Sequence, residues 1–257
     1  MLSKNKIKLI KSLDLKKSRL SSGLFVAEGK KLVFDLLNSE IVLHELYCTI
    51  LSSSELISYK NNVQYLEVEK SDIERISFLK TTPEIIGVFR IPKLVIDWHE
   101  IENELTIVLD EIQDPGNLGT IVRLADWFGI RNIICSEECA DLYNPKVVQA
   151  TMGALARVKV HYVSLPSFLE HTQKLGLPIY GTFLEGENIY KSGLNFNGLV
   201  VMGNEGKGIS ENVATYVTKK LNIPSFPPET PTSESLNVAI ATSIICSEFR
   251  RRIICTD

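Results

Sequence analysis

Three polar segments of the chain combine residue types that could bind a ligand and orient it. They are residues 114–123 (DPGNLGTIVR), residues 203–208 (GNEGKG) and residues 235–237 (SLN), and each adjoins an apolar stretch. Glycines let the backbone approach a bound molecule, while Asn, Arg, Glu and Ser side chains can hydrogen-bond to it. Such a set is suited to holding two reactants in a fixed orientation.

The first segment also has an ordinary structural interpretation. A turn over residues 114–117 follows an apolar stretch that ends at Leu109, and Asn117 is predicted to cap the helix after it. Arg123 then lies about one and a half turns into that helix. Because a surface arginine on a capped helix is common, Arg123 indicates chemistry only together with a second polar segment.

The second segment is rich enough in glycine to approach a phosphate closely. Its spacing nevertheless matches neither G-x-G-x-x-G nor G-x-x-x-x-G-K-[ST], because Gly208 follows Lys207 where Ser or Thr is required. Glu205 would also repel a phosphate. A neutral or cationic ligand therefore fits better, although Glu205 has a structural alternative as an acid that caps amides of its own loop.

The third segment offers two candidates for the start of the last helix. Ser235 and Asn237 precede an apolar stretch, and either side chain can cap that helix. No G-x-S-x-G elbow occurs, and the histidines lie outside the three segments, which disfavours a serine-hydrolase triad and a metal centre. These histidines are His44, His99, His161 and His171.

The net charge of −3 conceals a strong asymmetry along the 257 residues. Residues 1–31 hold nine Lys or Arg and two acids, a local charge of +7, so the rest of the chain carries −10. A basic segment on an acidic protein suits electrostatic capture of a phosphate backbone, because its lysines release condensed counterions. The alternative is a helix face that is merely solvated.

The composition predicts the cellular location of the protein and the state of its cysteines. No apolar run reaches the roughly 18 residues of a membrane-spanning helix, so we expect no membrane association and a cytoplasmic protein. The basic, serine-rich N-terminus leaves an organellar transit peptide as an alternative, although its lysines stand where arginines are usual. Five cysteines without a CxxC pair argue against a disulfide framework and a structural zinc site, so Cys135 and Cys139 are predicted to be reduced thiols.

The pattern of apolar segments predicts two α/β domains. Residues 1–93 mix helices at 7–20 and 32–37 with short strands, and a linker over about 94–104 separates them from residues 105–257, where a mostly parallel sheet is expected. The predicted strands of that sheet are 105–109, 132–135, 158–162, 179–183, 199–202 and 221–223. The predicted helices are 118–128, 145–155, 165–175, 210–217 and 235–252.

The three polar segments resemble, in the same order, the motifs of the SpoU (TrmH) family of RNA ribose 2′-O-methyltransferases in the SPOUT superfamily. The likeness covers residues 105–252, and residues 7–29, ending in FVAEG, resemble the substrate-binding domain often found before it. The resemblance implies a trefoil-knotted α/β domain that pairs into a homodimer. It also implies a bent S-adenosylmethionine held largely by backbone at Gly203, Ile223 and Leu236.

By the same resemblance, five residues map onto catalytic and substrate-positioning positions of the family: Asn117, Arg123, Glu205, Ser235 and Asn237. The implied reaction moves a methyl group to a ribose 2′-hydroxyl of structured RNA, ribosomal more than transfer, without a metal. Because a guanidinium does not readily lose its proton, we hypothesise that Arg123 grips an RNA phosphate rather than acting as a base. The proline-rich residues 225–234 are longer than the family's usual version.

Two other functions stay open at this point. A ribosome-associated or other RNA-binding protein with a vestigial methyl-donor pocket would bind S-adenosylmethionine without transferring its methyl group. A nucleotide-binding α/β enzyme would use residues 203–208 for phosphates and bind ATP or NAD tightly.

Overall fold

The structure is a computed structural model that describes residues 1–50, 56, 63–227 and 235–254, apart from the side chain of Ile254. The chain forms two compact units. The first comprises Met1–Lys93 with Asp141–Ala156, and the second comprises Leu94–Ala140 with Arg157–Asp257. Residues 141–156 therefore pack with the first unit, although they lie inside the segment that the sequence assigned to the second domain.

Helices and strands alternate along much of the chain. The strands are β1 (Leu24–Glu28), β2 (Leu43–Cys48), β3 (Leu66–Glu67), β4 (Ile85–Arg90), β5 (Leu105–Leu109), β6 (Asn132–Cys135), β7 (Lys159–Tyr162), β8 (Ile179–Asn188), β9 (Gly198–Met202) and β10 (Lys219–Asn222). The helices are α1 (Lys4–Ser12), α2 (Lys16–Ser22), α3 (Lys30–Leu37), α4 (Lys70–Ile76), α5 (Trp98–Asn103), α6 (Pro115–Trp127), α7 (Pro145–Ala150), α8 (Leu165–Lys174), α9 (Glu211–Ala214) and α10 (Val238–Ile254).

The first unit is built on a four-stranded sheet in the order β1-β4-β2-β3. Strands β1, β4 and β2 are antiparallel neighbours, whereas β3 runs parallel to β2. Apolar residues of α1 and α4, such as Ile10 and Ile73, pack with Val26 and Ile86 of the sheet. The helix, strand, helix order predicted for the N-terminal residues is confirmed, with the first helix divided into α1 and α2.

A buried arginine ties residues 141–156 to the N-terminal helices. The side chain of Arg19 is 2% exposed and donates to Asp141 Oδ2 from Nε and Nη2, at 3.0 and 2.6 Å. Its Nη1 donates to the carbonyl oxygens of Leu13 and Asp14, both at 2.7 Å. Since every one of these contacts is internal, Arg19 is a structural cation rather than part of the basic surface that the N-terminal sequence predicts.

The second unit contains a six-stranded parallel sheet in the order β10-β8-β9-β5-β6-β7. The expected parallel sheet is confirmed. It was predictable because strands that are buried on both faces need continuous apolar residues, and the predicted strands have them. Strand β8 runs to Asn188, five residues beyond its predicted end, and its register with β10 shifts between Lys220 and Leu221.

The segment expected to be a linker instead contains α5. Asp97 caps this helix by accepting from the amides of His99 and Glu100. Ile101 is fully buried against Val108 and Leu199, with Trp98 packed alongside. His99, Glu102 and Asn103 are exposed, so this polar stretch contains an amphipathic helix whose apolar side belongs to the core of the second unit.

Helices α6 and α10 lie side by side and run in the same direction. Near their N-termini, Asn237 Nδ2 donates to Asn117 Oδ1 at 2.9 Å. Near their C-termini, Arg250 donates to the carbonyl oxygens of Phe128 and Gly129, at 2.7 and 3.1 Å. Arg250 thus satisfies carbonyl groups that the end of α6 leaves without helical partners, and both N-termini lie at one edge of the unit.

The C-terminal helix carries a buried carboxylate whose contribution to stability depends on pH. Glu248 is 4% exposed and accepts from Arg251 and from Arg252. Hydrogen bonds from Arg251, followed by those from Arg252, lower the pKa of Glu248 to about 2 from an ordinary 4.5. Because its folded-state pKa is depressed, the stabilisation is complete above about pH 4.5 and is lost as the pH falls towards 2.

We therefore expect Glu248→Gln to lower the free energy of unfolding at pH 7 by about 2 kcal/mol. The loss is no larger because solvent around the partly exposed arginines screens their interaction with the carboxylate. The deficit relative to wild type should shrink as the pH falls below about 4.5. Urea titrations at neutral and acidic pH measure both effects. Glu170→Gln, which removes an exposed pairing with Lys174, is the matched control and should leave stability unchanged. An equal deficit at both pH values would contradict the assignment.

Among the described residues, no helix is both long enough and apolar enough to cross a membrane.

Candidate active site

The candidate site lies at the carboxyl ends of two neighbouring strands. Strands β5 and β9 pair in parallel, with Leu109 opposite Met202, so the chain leaves both at the same edge of the sheet. Asn204 Nδ2 donates to the carbonyl oxygen of Glu111 at 2.8 Å, and Asp110 Oδ2 accepts from the amide of Ser210 at 2.7 Å. The loops that follow β5 and β9 therefore lie together.

The glycine-rich loop is closed by its own backbone. The amides and carbonyls of Asn204 and Gly208 pair in both directions, at 2.9 and 2.8 Å. A Cβ on Gly203 would lie 2.3 Å from the backbone of Gly208, so only glycine permits this closure. Asn204 Oδ1 accepts from the amides of Gly206 and Lys207, at 2.9 and 3.1 Å. Asn204 therefore caps the loop, and the carboxylate of Glu205 makes its contact elsewhere.

A chain of side-chain hydrogen bonds joins the three polar segments. Asn117 Nδ2 donates to Glu205 Oε1 at 2.6 Å, and Asn117 Oδ1 accepts from Asn237 Nδ2 at 2.9 Å. Asn237 Oδ1 in turn accepts from the amides of Ala239 and Ile240, at 3.0 and 3.3 Å. Residues 117 and 237, which are 120 positions apart, therefore meet beside the glycine loop.

Two details of the predicted helix starts are wrong. Asp114 caps α6, because its Oδ1 accepts from the amide of Asn117 at 2.8 Å, and the helix begins at Pro115. Asn117 consequently sits in the first turn, where its side chain is available to Glu205. Helix α10 begins at Val238 and is capped by Asn237, whereas Ser235 lies before the helix in an exposed position.

The structure leaves Arg123 available to a ligand. Its side chain is exposed on α6 and makes no hydrogen bond or ion pair within the part of the chain that the structure describes. On a helix, residues seven apart lie nearly on the same face, so Arg123 falls in line with Gly116 at the first turn. The hydrogen-bonded chain of Asn117, Glu205 and Asn237 does not include Arg123, Ser235, Ile223 or Leu236.

Sequence reasoning missed Glu111 and Asn204. Glu111 has φ of 56°, a left-handed conformation that costs a non-glycine residue energy. This conformation is held from both sides, since its amide donates to Ser136 Oγ at 3.1 Å and its carbonyl accepts from Asn204. Lys207 Nζ lies 3.5 Å from its carboxylate. Asn204 stood inside a recognised motif, but no spacing rule reveals a positive φ at a glutamate.

The buried thiol of Cys139 contacts the loop that follows β5. Cys139 Sγ accepts from the amide of Ile112 at 3.2 Å and contacts Ser136 Oγ. A hydrogen bond from Cys135 lowers the pKa of Cys139, whereas burial raises that of Cys135. The prediction that both are free thiols is confirmed. Among the described residues, no group of three or more His, Cys, Asp and Glu side chains could hold a metal ion.

Comparison with known families identifies this arrangement. Residues 104–247 match the SpoU rRNA Methylase family, and residues 4–87 match an MRM3-like substrate binding domain. The chain belongs to the SpoU rRNA methylase family. The resemblance drawn from residues 117–123, 203–206 and 235–237 is thereby confirmed.

Two solved structures match nearly the whole length of this chain. A protein from Porphyromonas gingivalis assigned to the TrmH family of RNA methyltransferases is 41% identical, with a TM-score of 0.85 over 98% of this chain and 99% of that one. An AdoMet-bound rRNA methyltransferase from Sinorhizobium meliloti is 27% identical, with a TM-score of 0.85 over 98% and 97% of the two chains.

Among curated proteins, a 23S rRNA (guanosine(2553)-2′-O)-methyltransferase of Bacillus subtilis, RlmP, is 26% identical over 247 residues. That alignment covers 95% of this chain and 96% of the relative. Both units of the chain therefore have counterparts in a SpoU-family protein of nearly the same length.

Proposed function

We propose that this SpoU-family chain transfers the methyl group of S-adenosylmethionine to a ribose 2′-hydroxyl of structured RNA, and that it does so in the cytoplasm. The observation that carries the proposal is the hydrogen-bonded chain of Asn237, Asn117 and Glu205, which gathers all three family segments at one edge of the sheet. Ribosomal rather than transfer RNA is the proposed substrate, because RlmP acts on 23S rRNA and matches nearly the whole chain.

The residues at this edge fit S-adenosylmethionine. Gly203 and Ile223 directly follow β9 and β10, and Leu236 precedes α10 with 47% of its surface exposed. These three are proposed to bind the cofactor through backbone groups. The carboxylates of Glu111 and Glu205 suit a cation and disfavour a phosphate ligand. When bound, S-adenosylmethionine supplies an electrophilic methyl group on a sulfonium sulfur.

The protein side chains are proposed to position the RNA. Arg123, which is exposed and has no partner among the described residues, would donate two parallel hydrogen bonds to a phosphate beside the reacting ribose. Its charge would also stabilise negative charge that develops on the 2′-oxygen. A guanidinium keeps its proton, so the proton of the 2′-hydroxyl would pass to solvent water, and the methyl group would leave the sulfur to give neutral S-adenosylhomocysteine. Alignment of the hydroxyl with the methyl group then sets the rate.

The contacts of Asn237 refine the roles within the third segment. Its Oδ1 already accepts from two helix amides, and one of its Nδ2 hydrogens goes to Asn117. Asn237 is therefore proposed chiefly as a positioning residue that fixes the orientation of Asn117 and, through it, Glu205. Ser235, exposed two residues earlier, is the better candidate to orient the ribose hydroxyl.

A homodimer that pairs through the knotted region is part of the proposal. Helices α6 and α10 expose large apolar side chains, with Trp127 at 83% and Ile240 at 54%. A cavity of about 540 Å³ lies beside them and is lined by Phe128, Tyr190 and Ile244 among others. Such a surface is typical of a subunit interface. The trefoil knot is likewise proposed on the family's account; residues 228–234, on the approach to α10, lie outside the described residues.

Two assays on the wild-type protein test the function. Calorimetric titration measures S-adenosylmethionine binding, and transfer of labelled methyl to protein-free ribosomal RNA, followed by alkaline hydrolysis, detects 2′-O-methylation because the modified linkage resists cleavage. We expect binding and alkali-resistant label. Binding without transfer would favour an RNA-binding protein, and tight ATP or NAD binding without S-adenosylmethionine binding would favour a nucleotide enzyme.

A further inference from the structure

Among the residues that the structure describes, two residues other than glycine have a left-handed backbone. Glu111 has a φ of 56° and Met152 has a φ of 52°. Glu111 lies in the loop after β5, at the candidate site, whereas Met152 follows α7 in the first unit. A glycine would adopt the same φ at position 111 without the steric cost that a Cβ brings, which indicates a role for the glutamate side chain.

Two connections join Glu111 to the glycine-rich loop of residues 203–208. The carbonyl oxygen of Glu111 accepts from Asn204 Nδ2 at 2.8 Å, and Asn204 Oδ1 accepts from the amides of Gly206 and Lys207, at 2.9 and 3.1 Å. The carboxylate of Glu111 lies 3.5 Å from Lys207 Nζ. Glu111, Asn204 and Lys207 therefore form a closed ring of contacts, made partly by backbone and partly by side chains.

The side chain of Lys207 has little else to hold it. It is 78% exposed, whereas that of Glu111 is 29% exposed, so the carboxylate is the better fixed of the two groups. Glu205, two residues before Lys207, is attached elsewhere, because its carboxylate accepts from Asn117 Nδ2 at 2.6 Å. The glycine-rich loop is thus attached on one side to α6 and on the other to the loop that follows β5.

We propose that Glu111 is a positioning residue for the methyl donor, and that its carboxylate acts through Lys207 to keep the glycine-rich loop in the conformation that binds S-adenosylmethionine. The identity of the cofactor rests on the proposed function. The alternative is that Glu111 attracts the cationic cofactor directly. The two accounts predict opposite effects for loss of the Lys207 charge, since removing a nearby cation would strengthen a direct attraction.

Three variants test the role of the ion pair: Glu111→Gln, Lys207→Gln and the two changes combined. Amide hydrogen exchange of residues 204–208 is measured in the cofactor-free proteins, and calorimetry measures binding of S-adenosylmethionine and of S-adenosylhomocysteine, which lacks the sulfonium charge. Each single change should speed the exchange and weaken binding of both ligands about threefold, as expected for an exposed pair. The combined variant should lose no more, because both changes remove the same contact.

Glycine variants separate positioning from stability. Glu111→Gly and Met152→Gly each relieve a left-handed residue, so neither should lower the midpoint of thermal unfolding, since the strain that is relieved offsets the greater freedom of glycine in the unfolded chain. Only Glu111→Gly should weaken cofactor binding and speed the exchange of residues 204–208. Equal effects of both variants on cofactor binding would overturn the proposal.

The remaining outcomes also decide between the two accounts. Tighter binding of S-adenosylmethionine by Lys207→Gln would overturn the proposal in favour of direct attraction. Losses that add in the combined variant, or unchanged exchange in both single variants, would overturn it as well. If the wild-type protein does not bind S-adenosylmethionine, the proposed function fails, while the exchange measurements still show whether Glu111 and Lys207 hold the loop.

Discussion

Arg123→Lys is expected to slow single-turnover methyl transfer about 100-fold, equivalent to about 2.7 kcal/mol, while S-adenosylmethionine affinity stays within about twofold of wild type. Lysine keeps the positive charge but cannot donate two parallel hydrogen bonds in a fixed plane. If Arg123 grips a phosphate with both donors, lysine should align the ribose poorly. Because Arg123 lies outside the hydrogen-bonded chain of Asn117, Glu205 and Asn237, its replacement should leave the cofactor loop intact.

The measurement is a single-turnover time course with excess enzyme and ribosomal RNA, beside a calorimetric titration of the cofactor. Arg131→Lys is the matched control, since Arg131 is also exposed but lies before β6 and interacts with Glu100 and Glu104. It should transfer methyl at the wild-type rate. A near-normal rate for Arg123→Lys would show that a single cationic group suffices and would exclude the bidentate role.

The parallel sheet was predictable because burial on both faces leaves a strong signal. Strand β5, for example, reads as five apolar or small residues and is buried along its whole length. The packing of segments whose contacts are remote in sequence was harder to predict. Residues 145–155 look like an ordinary helix of the second domain. Contacts with remote residues, such as the ion pair of Asp141 with Arg19 and the ring contact of Tyr143 with Phe25, show that this region packs in the first unit.

In the candidate site, too, some features were predictable from the sequence and others were not. Asn117 and Glu205 lie in segments that follow predicted parallel strands, so their positions after strand ends were predictable. The contact of Asn237 with Asn117 depends on tertiary packing that no local pattern reveals. The cap of α6 was misassigned because Asp114 and Asn117 are both good capping residues, and only the geometry of the first turn distinguishes them. Glu111 was missed because local sequence gives no sign of its left-handed backbone, which depends on Ser136 and Asn204.

The hydrogen-bonded chain itself leads to the second large expected effect. Asn117→Asp is nearly isosteric and keeps an oxygen to accept from Asn237, but it places a carboxylate oxygen where Nδ2 now donates to Glu205. A charge-assisted hydrogen bond is thus replaced by repulsion between like charges, which should cost about 3 kcal/mol. We expect kcat/KM for methyl transfer to fall about 100-fold, with faster amide hydrogen exchange in residues 204–208.

A compensating change separates this positioning role from a general loss of structure. In Asn117→Asp/Glu205→Gln, the glutamine amide can donate to the new carboxylate, so the contact is rebuilt with the donor and acceptor exchanged. The double variant should recover protection of residues 204–208 and about 10-fold of the lost activity. Asn212→Asp, an exposed change on α9, controls for added charge. Wild-type activity in Asn117→Asp alone would show that methyl transfer does not need the hydrogen bonds between the three segments. Continued loss of exchange protection in the double variant would show that the contact with Glu205 is not what holds residues 204–208.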